Sequence, residues 1–178
     1  MEANEKETDT NDVLDFIIEN FEGTKFVDHP DDNGGPTKFG ITKKTLSGFR
    51  GKSVLTNDVH ELTRDEAKKI YCTRYVEPVC GDEYSYAPLR LAVIDYAIHS
   101  GTRRVTRVIQ EIVETKRDGI LGPITLQAIF EFGERALFVR LMSERLVFLT
   151  RLVSNDPTQS SFIYGWGKRI ALILDTSA

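Results

Sequence analysis

Apolar residues recur at helical spacing along most of the chain and predict a mainly α-helical protein. The first such segment begins after Asn11 or Asp12, either of which can cap a helix. Its apolar positions are Val13, Phe16, Ile17 and Phe21, with Leu14 and Ile18 widening the face. Gly23 is expected to end this helix, which leaves Glu22 on its last turn.

Helical spacing is lost between Thr24 and Gly40, where glycine, proline, aspartate and asparagine are frequent. These residue types favour turns because their side chains or backbones suit tight conformations. The segment therefore predicts a loop with a short, irregular hairpin near the start of the chain.

Further helices are predicted along the rest of the chain. Thr42 opens a short one, and Thr63 and Glu66 form a capping box ahead of another that runs to about Val76. Later helices cover residues 88–99, a segment after Gly101, a segment from Pro123, residues 135–153 and a segment after Pro157. Residues 118–123 read as a turn, and proline suits the first position of the helix that follows it. The pattern predicts six to eight helices with little strand.

Composition narrows the class of protein. A chain of 178 residues with 40% hydrophobic and 28% charged residues is typical of a folded domain with a real core. The net charge of −4 argues against broad nucleic-acid binding, and no apolar run is long enough to insert into a membrane. Residues 1–10 are acidic and polar, which predicts a disordered tail and synthesis in the cytoplasm without a signal peptide.

A metal centre is not expected from the cysteines and histidines. Cys72 and Cys80 lack the spacing of a zinc site, and His29, His60 and His99 are scattered. We expect two free, partly buried thiols, no metal and no cofactor.

The position of Glu22 fits the chemistry of glycoside hydrolysis, which needs a carboxylic acid at the leaving oxygen. Such an acid must stay protonated near neutral pH, so apolar surroundings are expected, and the end of a helix acts in the same direction. A second carboxylate, Asp31 or Asp32, is expected to assist the attacking water. Thr37 is expected to help hold that water.

The spacing of these residues is a weak signal by itself. Eight residues separate Glu22 from Asp31, and five separate Asp31 from Thr37. This resembles the catalytic triad spacing of phage-type lysozymes. Several acidic or amide residues lie in this segment, so at least one pair is expected to match the spacing by chance.

Four segments resemble, in the right order, the motifs of the glycoside hydrolase family 108 muramidases. They are EGTKFVDHPDDNGGPTKFGIT at 22–42, AVIDYAIHSG at 92–101, DGILGPIT at 118–125 and FIYGWGKRI at 162–170. Together they span nearly the whole chain. The resemblance implies a mainly α, lysozyme-like α+β helical bundle whose irregular loop carries the active site. It also implies that Glu22 is the catalytic acid, and that a peptidoglycan-binding segment follows, as in phage endolysins and secretion-associated muramidases.

The chain departs from the family pattern at several positions. Thr24 replaces a glycine, and His99 and Lys168 stand where the family has asparagine. Alignment from the proline of the first motif favours Asp32 as the second acid, whereas spacing favours Asp31, so both stay open. Residues expected to bind substrate are Phe39, Asp95, Tyr96, His99 and Trp166. The rings of Tyr96 and Trp166 would stack on sugars or fill the core, and for Trp166 the core is favoured.

The expected organisation is a disordered tail over residues 1–10, a lysozyme-like catalytic region over 11–115 and a helical peptidoglycan-binding segment over 116–178 packed on it. The basic residues Arg103, Arg104 and Arg107 are interpreted as a solvated helix face, with peptidoglycan carboxylates as the alternative partner.

The resemblance predicts cleavage of the β-1,4 bond between N-acetylmuramic acid and N-acetylglucosamine. The setting would be the cell wall or periplasm, in phage lysis or secretion-linked wall opening. The expected partners are bacterial peptidoglycan and a holin or secretion system for export, with the protein itself a monomer. Three alternatives remain: a non-catalytic wall-binding protein, a lytic transglycosylase, and a helical interaction protein without a cleft.

Overall fold

The computed structural model describes residues 9–28 and 35–178, and in this part the protein is mainly helical with one small antiparallel sheet. The prediction of a mainly α fold with a short hairpin near the start is therefore confirmed. The α-helices are α1 (Thr10–Ile17), α2 (Lys43–Arg50), α3 (Thr56–His60), α4 (Arg64–Tyr71), α5 (Ala87–Ser100), α6 (Thr102–Ile112), α7 (Pro123–Phe132), α8 (Glu134–Asn155) and α9 (Ile163–Asp175). The strands are β1 (Thr37–Lys38) and β2 (Ile41–Thr42).

The chain divides into two compact units, Met1–Arg74 and Tyr75–Ala178. This division comes earlier in the sequence than the domain boundary predicted between residues 115 and 116. Of the tail predicted to be disordered, residues 1–8 lie outside the described part. Thr10 already belongs to α1, where it is buried.

The first helix starts earlier than the sequence predicted. Asp9, and not Asn11 or Asp12, is its N-cap, and the Asp9 carboxylate accepts a hydrogen bond from the Asn11 amide at 3.4 Å. The apolar face was predicted well, since Val13, Leu14 and Ile17 are buried. On the opposite side, the Asp15 carboxylate accepts hydrogen bonds from Lys68 and Arg64, each at 2.6 Å. These ion pairs tie α1 to α4.

The end of α1 changes its hydrogen-bonding pattern. A π-helical turn, Ile18–Glu22, continues the helix, and the Gly23 amide donates to the carbonyl of Ile18 at 2.9 Å, five residues back. Gly23 then has a φ of 77°, a conformation that favours glycine. The predicted stop at Gly23 is correct, but the last turn is wider than an α-helical one. Single π-helical turns are frequent at functional sites.

Strands β1 and β2 form a hairpin in which Thr37 pairs with Thr42 and Lys38 with Ile41. The two residues between the strands, Phe39 and Gly40, have φ values of 52° and 71°. Positive φ at both central positions is what a tight type I′ turn requires. Val27 adds an isolated bridge to Thr37, with amide–carbonyl distances of 2.8 Å in both directions.

Two predicted helices are interrupted by other helical forms. The helix after Thr63 ends as an α-helix at Tyr71 and continues as a π-helical turn, Cys72–Val76. The segment after Pro157 begins with a 3₁₀-helix, Pro157–Phe162, before α9 starts at Ile163. Periodicity of apolar residues does not distinguish these forms from an α-helix, so the sequence predicted single helices.

The second unit is held by a buried ion triad, which we define as Asp95, Arg145 and Arg169. Asp95 on α5 is 0% exposed, and its carboxylate lies 2.7 Å from a nitrogen of Arg145 on α8 and 2.7 Å from one of Arg169 on α9. Arg145 is 1% exposed, and its guanidinium also faces the Tyr96 ring at 4.9 Å. Buried charges need such pairing, so the triad joins three helices at one point.

The turn predicted at residues 118–123 is present and is fixed by Gln110 on α6. The Gln110 side chain donates to the Asp118 carboxylate at 2.9 Å and accepts from the Gly119 amide at 2.9 Å. Pro123 is the first residue of α7, as predicted. The long helix predicted over residues 135–153 is also confirmed as α8.

Candidate active site

Glu22 is the last residue of the π-helical turn that follows α1, and its side chain is half-buried. The carboxyl group lies against the hairpin turn. A methyl group built on Gly40 would be 2.6 Å from Oε2 of Glu22 and 2.9 Å from its Cβ, both shorter than ordinary contacts. Only a residue without a side chain fits here, so Gly40 sets how closely Glu22 approaches the turn.

Tyr71, the last residue of α4, completes this arrangement. Its hydroxyl donates to the carbonyl of Phe39 at 2.7 Å and would be 2.4 Å from the same methyl group on Gly40. The Tyr71 ring is almost fully buried. Its hydrogen bond holds Phe39 in a left-handed conformation that a large side chain rarely adopts. The carboxyl of Glu22 and the hydroxyl of Tyr71 therefore meet at Gly40.

The sequence did not identify Tyr71 as part of this site. It lies on the apolar face of α4, beside the buried Ala67 and Ile70, and reads as a core residue. The signal available was a buried tyrosine, whose hydroxyl normally needs a hydrogen-bond partner. That partner is 32 positions away along the chain, so the pairing is visible only in three dimensions.

The two aromatic rings closest to Glu22 in sequence, Phe21 and Phe26, each pack against another ring. The Phe21 ring packs edge-on against Phe16, with centroids 5.8 Å apart. The Phe26 ring packs edge-on against His60 at 5.1 Å. The Lys38 ammonium donates to the carbonyl of His60 at 2.6 Å, which ties strand β1 to the end of α3.

The other catalytic candidates lie on the hairpin and its loop. Asp31 and Asp32 fall outside the residues that the structure describes. Thr37 is half-buried, and its hydroxyl donates to the carbonyl of Gly35 at 2.9 Å. This leaves the lone pairs of the Thr37 oxygen as acceptors, which a positioned water would need. The role of Thr37 stays a prediction.

Of the residues expected to bind substrate, Phe39 lies in the first unit, at the hairpin turn. Its side chain is half-buried, and the Lys38 ammonium lies 5.3 Å from its ring centroid. Phe39 directly precedes Gly40, against which the Glu22 side chain packs. The structure brings these two candidates into one small region.

Asp95 and Tyr96 have a different place from the one expected. The Asp95 carboxylate is 0% exposed and is occupied by two guanidinium groups, and Tyr96 is 1% exposed. The Tyr96 ring stacks near Phe148, with centroids 6.4 Å apart. Neither side chain is accessible to a sugar, so the substrate-binding role expected for them is corrected to a role in the core.

His99 and Trp166 form an aromatic group in the second unit. Their rings meet edge-on at 6.0 Å, and Phe162 stacks on Trp166 at 5.9 Å. Trp166 is half-buried, and its role, in the core or in sugar binding, stays a prediction. Burial, and then the charges of Arg145 and Arg169, lower the pKa of His99 from 6.5 to about 4. The ring is therefore neutral at neutral pH.

No helix in the described part of the chain has the length and apolar character to cross a membrane. Within residues 9–28 and 35–178 there is also no cluster of three or more side chains suited to hold a metal ion. The thiols of Cys72 and Cys80 are partly buried, as expected, and neither belongs to a disulfide within the described residues.

Comparisons with known proteins match both parts of the chain. Residues 14–101 match the family model described as glycosyl hydrolase 108, and residues 104–171 match the one described as a predicted peptidoglycan domain. Among solved structures, SagA of Brucella abortus is similar, with 34% sequence identity and a TM-score of 0.74. That match covers 92% of this chain and 88% of the SagA chain. No curated protein sequence matches.

Proposed function

Since this chain belongs to the glycosyl hydrolase 108 family and is a muramidase, an enzyme that hydrolyses peptidoglycan, we propose that Glu22 is the general acid of the reaction. The observation that carries this proposal is the contact at Gly40. There the Glu22 carboxyl is held at the end of a π-helical turn, beside the Tyr71 hydroxyl and against the hairpin. A proton donor needs a fixed position relative to the glycosidic oxygen, and this packing supplies one.

The chemistry that we propose follows from that position. Glu22 gives its proton to the oxygen of the leaving sugar as the β-1,4 bond after N-acetylmuramic acid breaks. The muramic ring then has oxocarbenium character at its first carbon. Water adds to this carbon, and Asp31 or Asp32 accepts the proton of that water. Thr37 is proposed to hold the water through the lone pairs of its hydroxyl oxygen.

The experiment that tests Glu22 compares the wild type with Glu22→Gln on purified, insoluble peptidoglycan. The amide keeps the shape of the side chain but has no acidic proton to transfer, so the rate of turbidity loss is expected to fall by about 10²–10⁴-fold. Glu61→Gln is the matched control, because Glu61 is exposed in the same unit. Clearing by Glu22→Gln at the control's rate would remove Glu22 from the mechanism.

Product analysis distinguishes hydrolysis from the lytic transglycosylase alternative. Hydrolysis adds water and leaves a reducing muramic end, whereas transglycosylation closes an anhydro ring and leaves none. Mass spectrometry of the released fragments is expected to give masses that include the added water.

For the biological setting, we infer that the protein acts as a monomer at the cell wall, in phage lysis or in local wall opening. A holin or a secretion system would bring it to the wall. The match to a peptidoglycan domain supports the wall as the place of action. Expression in a bacterial cytosol with and without a co-expressed holin tests the export route. Lysis only when the holin is present supports export through a holin. Lysis in the absence of the holin contradicts that route. Light scattering of the purified protein tests the monomer.

A further inference from the structure

Four arginines line a groove at the start of α6, in the second unit. The groove has a volume of about 560 Å³ and is lined by Arg103, Arg104, Arg107 and Arg117 together with Ser100, Gly101, Thr102 and Val108. We call it the arginine groove. Its size exceeds that of a single small ion, and all four arginines are exposed.

Most of the positive charge in the groove is not neutralised by the protein. Within the described residues, Arg103 and Arg107 have no carboxylate partner. Both side chains lie beside Gly119: a methyl group built on this glycine would be 3.5 Å from Nε of Arg103 and 3.2 Å from Nε of Arg107. The two positive charges are therefore close to the same point. Like charges four residues apart on a helix repel each other. An anion between the two guanidinium groups would remove this repulsion.

The other two arginines have different neighbours. Arg104 lies over the Phe148 ring, with its guanidinium carbon 4.2 Å from the centroid. Arg117 is ion-paired with Glu111 at 3.1 Å. Stacking on an aromatic ring fixes a guanidinium group without using its hydrogen bonds. Arg104 therefore keeps its donors free while its position is set.

The helix itself adds to the positive potential. The N-cap of α6 is Gly101, which has no side chain to accept from the first amides, and the first turn contains no acidic residue. Helix N-termini attract anions because their amide groups point outward. Here the first turn carries Arg103 and Arg104, so the sequence opposes the usual preference for an acid at this position. The whole groove is arranged for an anionic ligand.

We propose that the arginine groove binds the free carboxylates of peptidoglycan stem peptides. The proposal rests on the muramidase function, and it specifies which part of the polymer the second unit holds. Three of the four arginines belong to the segment that matches a peptidoglycan domain. The neutral sugar rings offer no counter-charge, whereas stem peptides carry several carboxylates, and guanidinium groups bind carboxylates through paired hydrogen bonds. Ser100 and Thr102 add hydroxyl groups that suit the peptide backbone.

Binding without turnover tests this proposal. Full-length protein carrying Glu22→Gln is sedimented with purified peptidoglycan, with and without the additional pair Arg103→Ala and Arg107→Ala. The matched control removes two exposed arginines of α8, Arg140 and Arg151, and so has the same net charge. The groove variant is expected to bind at least about tenfold more weakly, and the control within about twofold of its parent. Equal binding by the two charge-matched variants would overturn the proposal.

Chemically defined ligands identify the group that is bound. A synthetic stem peptide with free carboxylates is expected to bind the parent protein, and its fully amidated form is expected not to bind. Stem peptides released from the wall by an amidase should displace the parent protein from insoluble peptidoglycan, whereas they should have little effect on the residual binding of the groove variant. Binding that instead follows wall phosphate polymers, and disappears when these are extracted, would contradict the assignment to peptides.

Failure of this proposal is distinguishable from failure of the catalytic one. In the protein with an intact Glu22, the two groove substitutions are expected to slow cleavage of peptide-bearing peptidoglycan far more than cleavage of soluble, peptide-free glycan chains. Loss of that cleavage would mean that the groove acts on the glycan, contrary to the proposal. The comparison of Glu22→Gln with Glu61→Gln tests catalysis separately.

Discussion

Gly40 offers the sharpest test of how the hairpin controls Glu22. In Gly40→Ala, the new methyl group meets the Tyr71 hydroxyl at 2.4 Å and Oε2 of Glu22 at 2.6 Å, where ordinary contacts begin at 3.4 Å. One or both groups must therefore move by about 1 Å. A misplacement of that size at a reacting group can lower the rate by about 10²-fold.

The stability of Gly40→Ala is expected to fall as well. Alanine in a left-handed conformation costs about 1–2 kcal/mol, and loss of the hydrogen bond from Tyr71 to Phe39 costs about 1 kcal/mol more. The free energy of unfolding should therefore drop by about 2–3 kcal/mol. Urea unfolding measures this change, and release of soluble fragments from peptidoglycan measures activity.

A matched control separates backbone strain from the clash. Gly51, the C-cap of α2, has a φ of 67°, and a methyl group there would meet no atom within 4 Å. Gly51→Ala is expected to lose about 1–2 kcal/mol with activity unchanged. If Gly40→Ala turned over peptidoglycan as fast as Gly51→Ala, the argument that Gly40 positions Glu22 would be wrong.

The contribution of Tyr71 is measured by a double-mutant cycle. Tyr71→Phe removes the hydroxyl that the new methyl group would meet first. We expect the double variant, Gly40→Ala with Tyr71→Phe, to lose less stability than the sum of the losses in the two single variants. The reason is that each single variant already loses the hydrogen bond from Tyr71 to Phe39, and the double variant loses that bond only once and has no hydroxyl for the methyl group to meet. Activity should remain low, since the contact with Glu22 persists. Simple additivity would contradict the geometry.

Three further predictions concern other groups. Of Asp31→Asn and Asp32→Asn, one is expected to lose about 10²–10⁴-fold in peptidoglycan turnover and the other to keep it, and full activity in both would exclude a second acid from this loop. Because burial, and then the arginines of the ion triad, lower the pKa of His99 to about 4, the unfolded state binds more protons between pH 4 and 6.5. His99 should therefore lower the free energy of unfolding by on the order of 1 kcal/mol as the pH drops through that window, and this part of the slope should be absent in His99→Gln. An NMR titration of the His99 ring near pH 6.5 would refute the prediction. Asp95→Asn is expected to cost about 3–5 kcal/mol in chemical unfolding because Arg145 keeps its charge in the core, and a loss under about 1 kcal/mol would contradict the buried pairing.

Helix content and the hairpin followed from the sequence because their causes are local. The N-cap at Thr63, the turn ending at Pro123 and the apolar face of α1 each depend on neighbouring residues. Of the predicted capping box only the hydrogen bond from the Glu66 amide to the Thr63 hydroxyl forms, because the Glu66 carboxylate pairs with Arg50 instead. The type I′ turn at Phe39 and Gly40 is different. A phenylalanine with positive φ is locally unfavourable, and a hydrogen bond from Tyr71, far along the chain, stabilises it.

One physical reason explains why Asp95 and Tyr96 were predicted to bind substrate although they are buried. In α5, every residue from Pro88 to Ala97 is buried, so apolar residues surround the helix and no single face is marked. The periodicity of apolar residues therefore does not predict whether the side chains of Asp95 and Tyr96 point to the core or to solvent. The resemblance to a family motif carried no information on their burial either. The partners that bury Asp95 come from α8 and α9, which sequence spacing cannot bring together.

The buried ion triad has a consequence for the order in which the second unit folds during synthesis. Asp95 is made long before Arg169, and until Arg169 leaves the ribosome the buried carboxylate lacks one of its two guanidinium partners. Packing α5 against α8 at that stage would leave the triad one cation short, with hydrogen bonds to the carboxylate unmade. We therefore expect this unit to reach its native core only after α9 has emerged, and a nascent chain stalled before Arg169 to remain sensitive to protease.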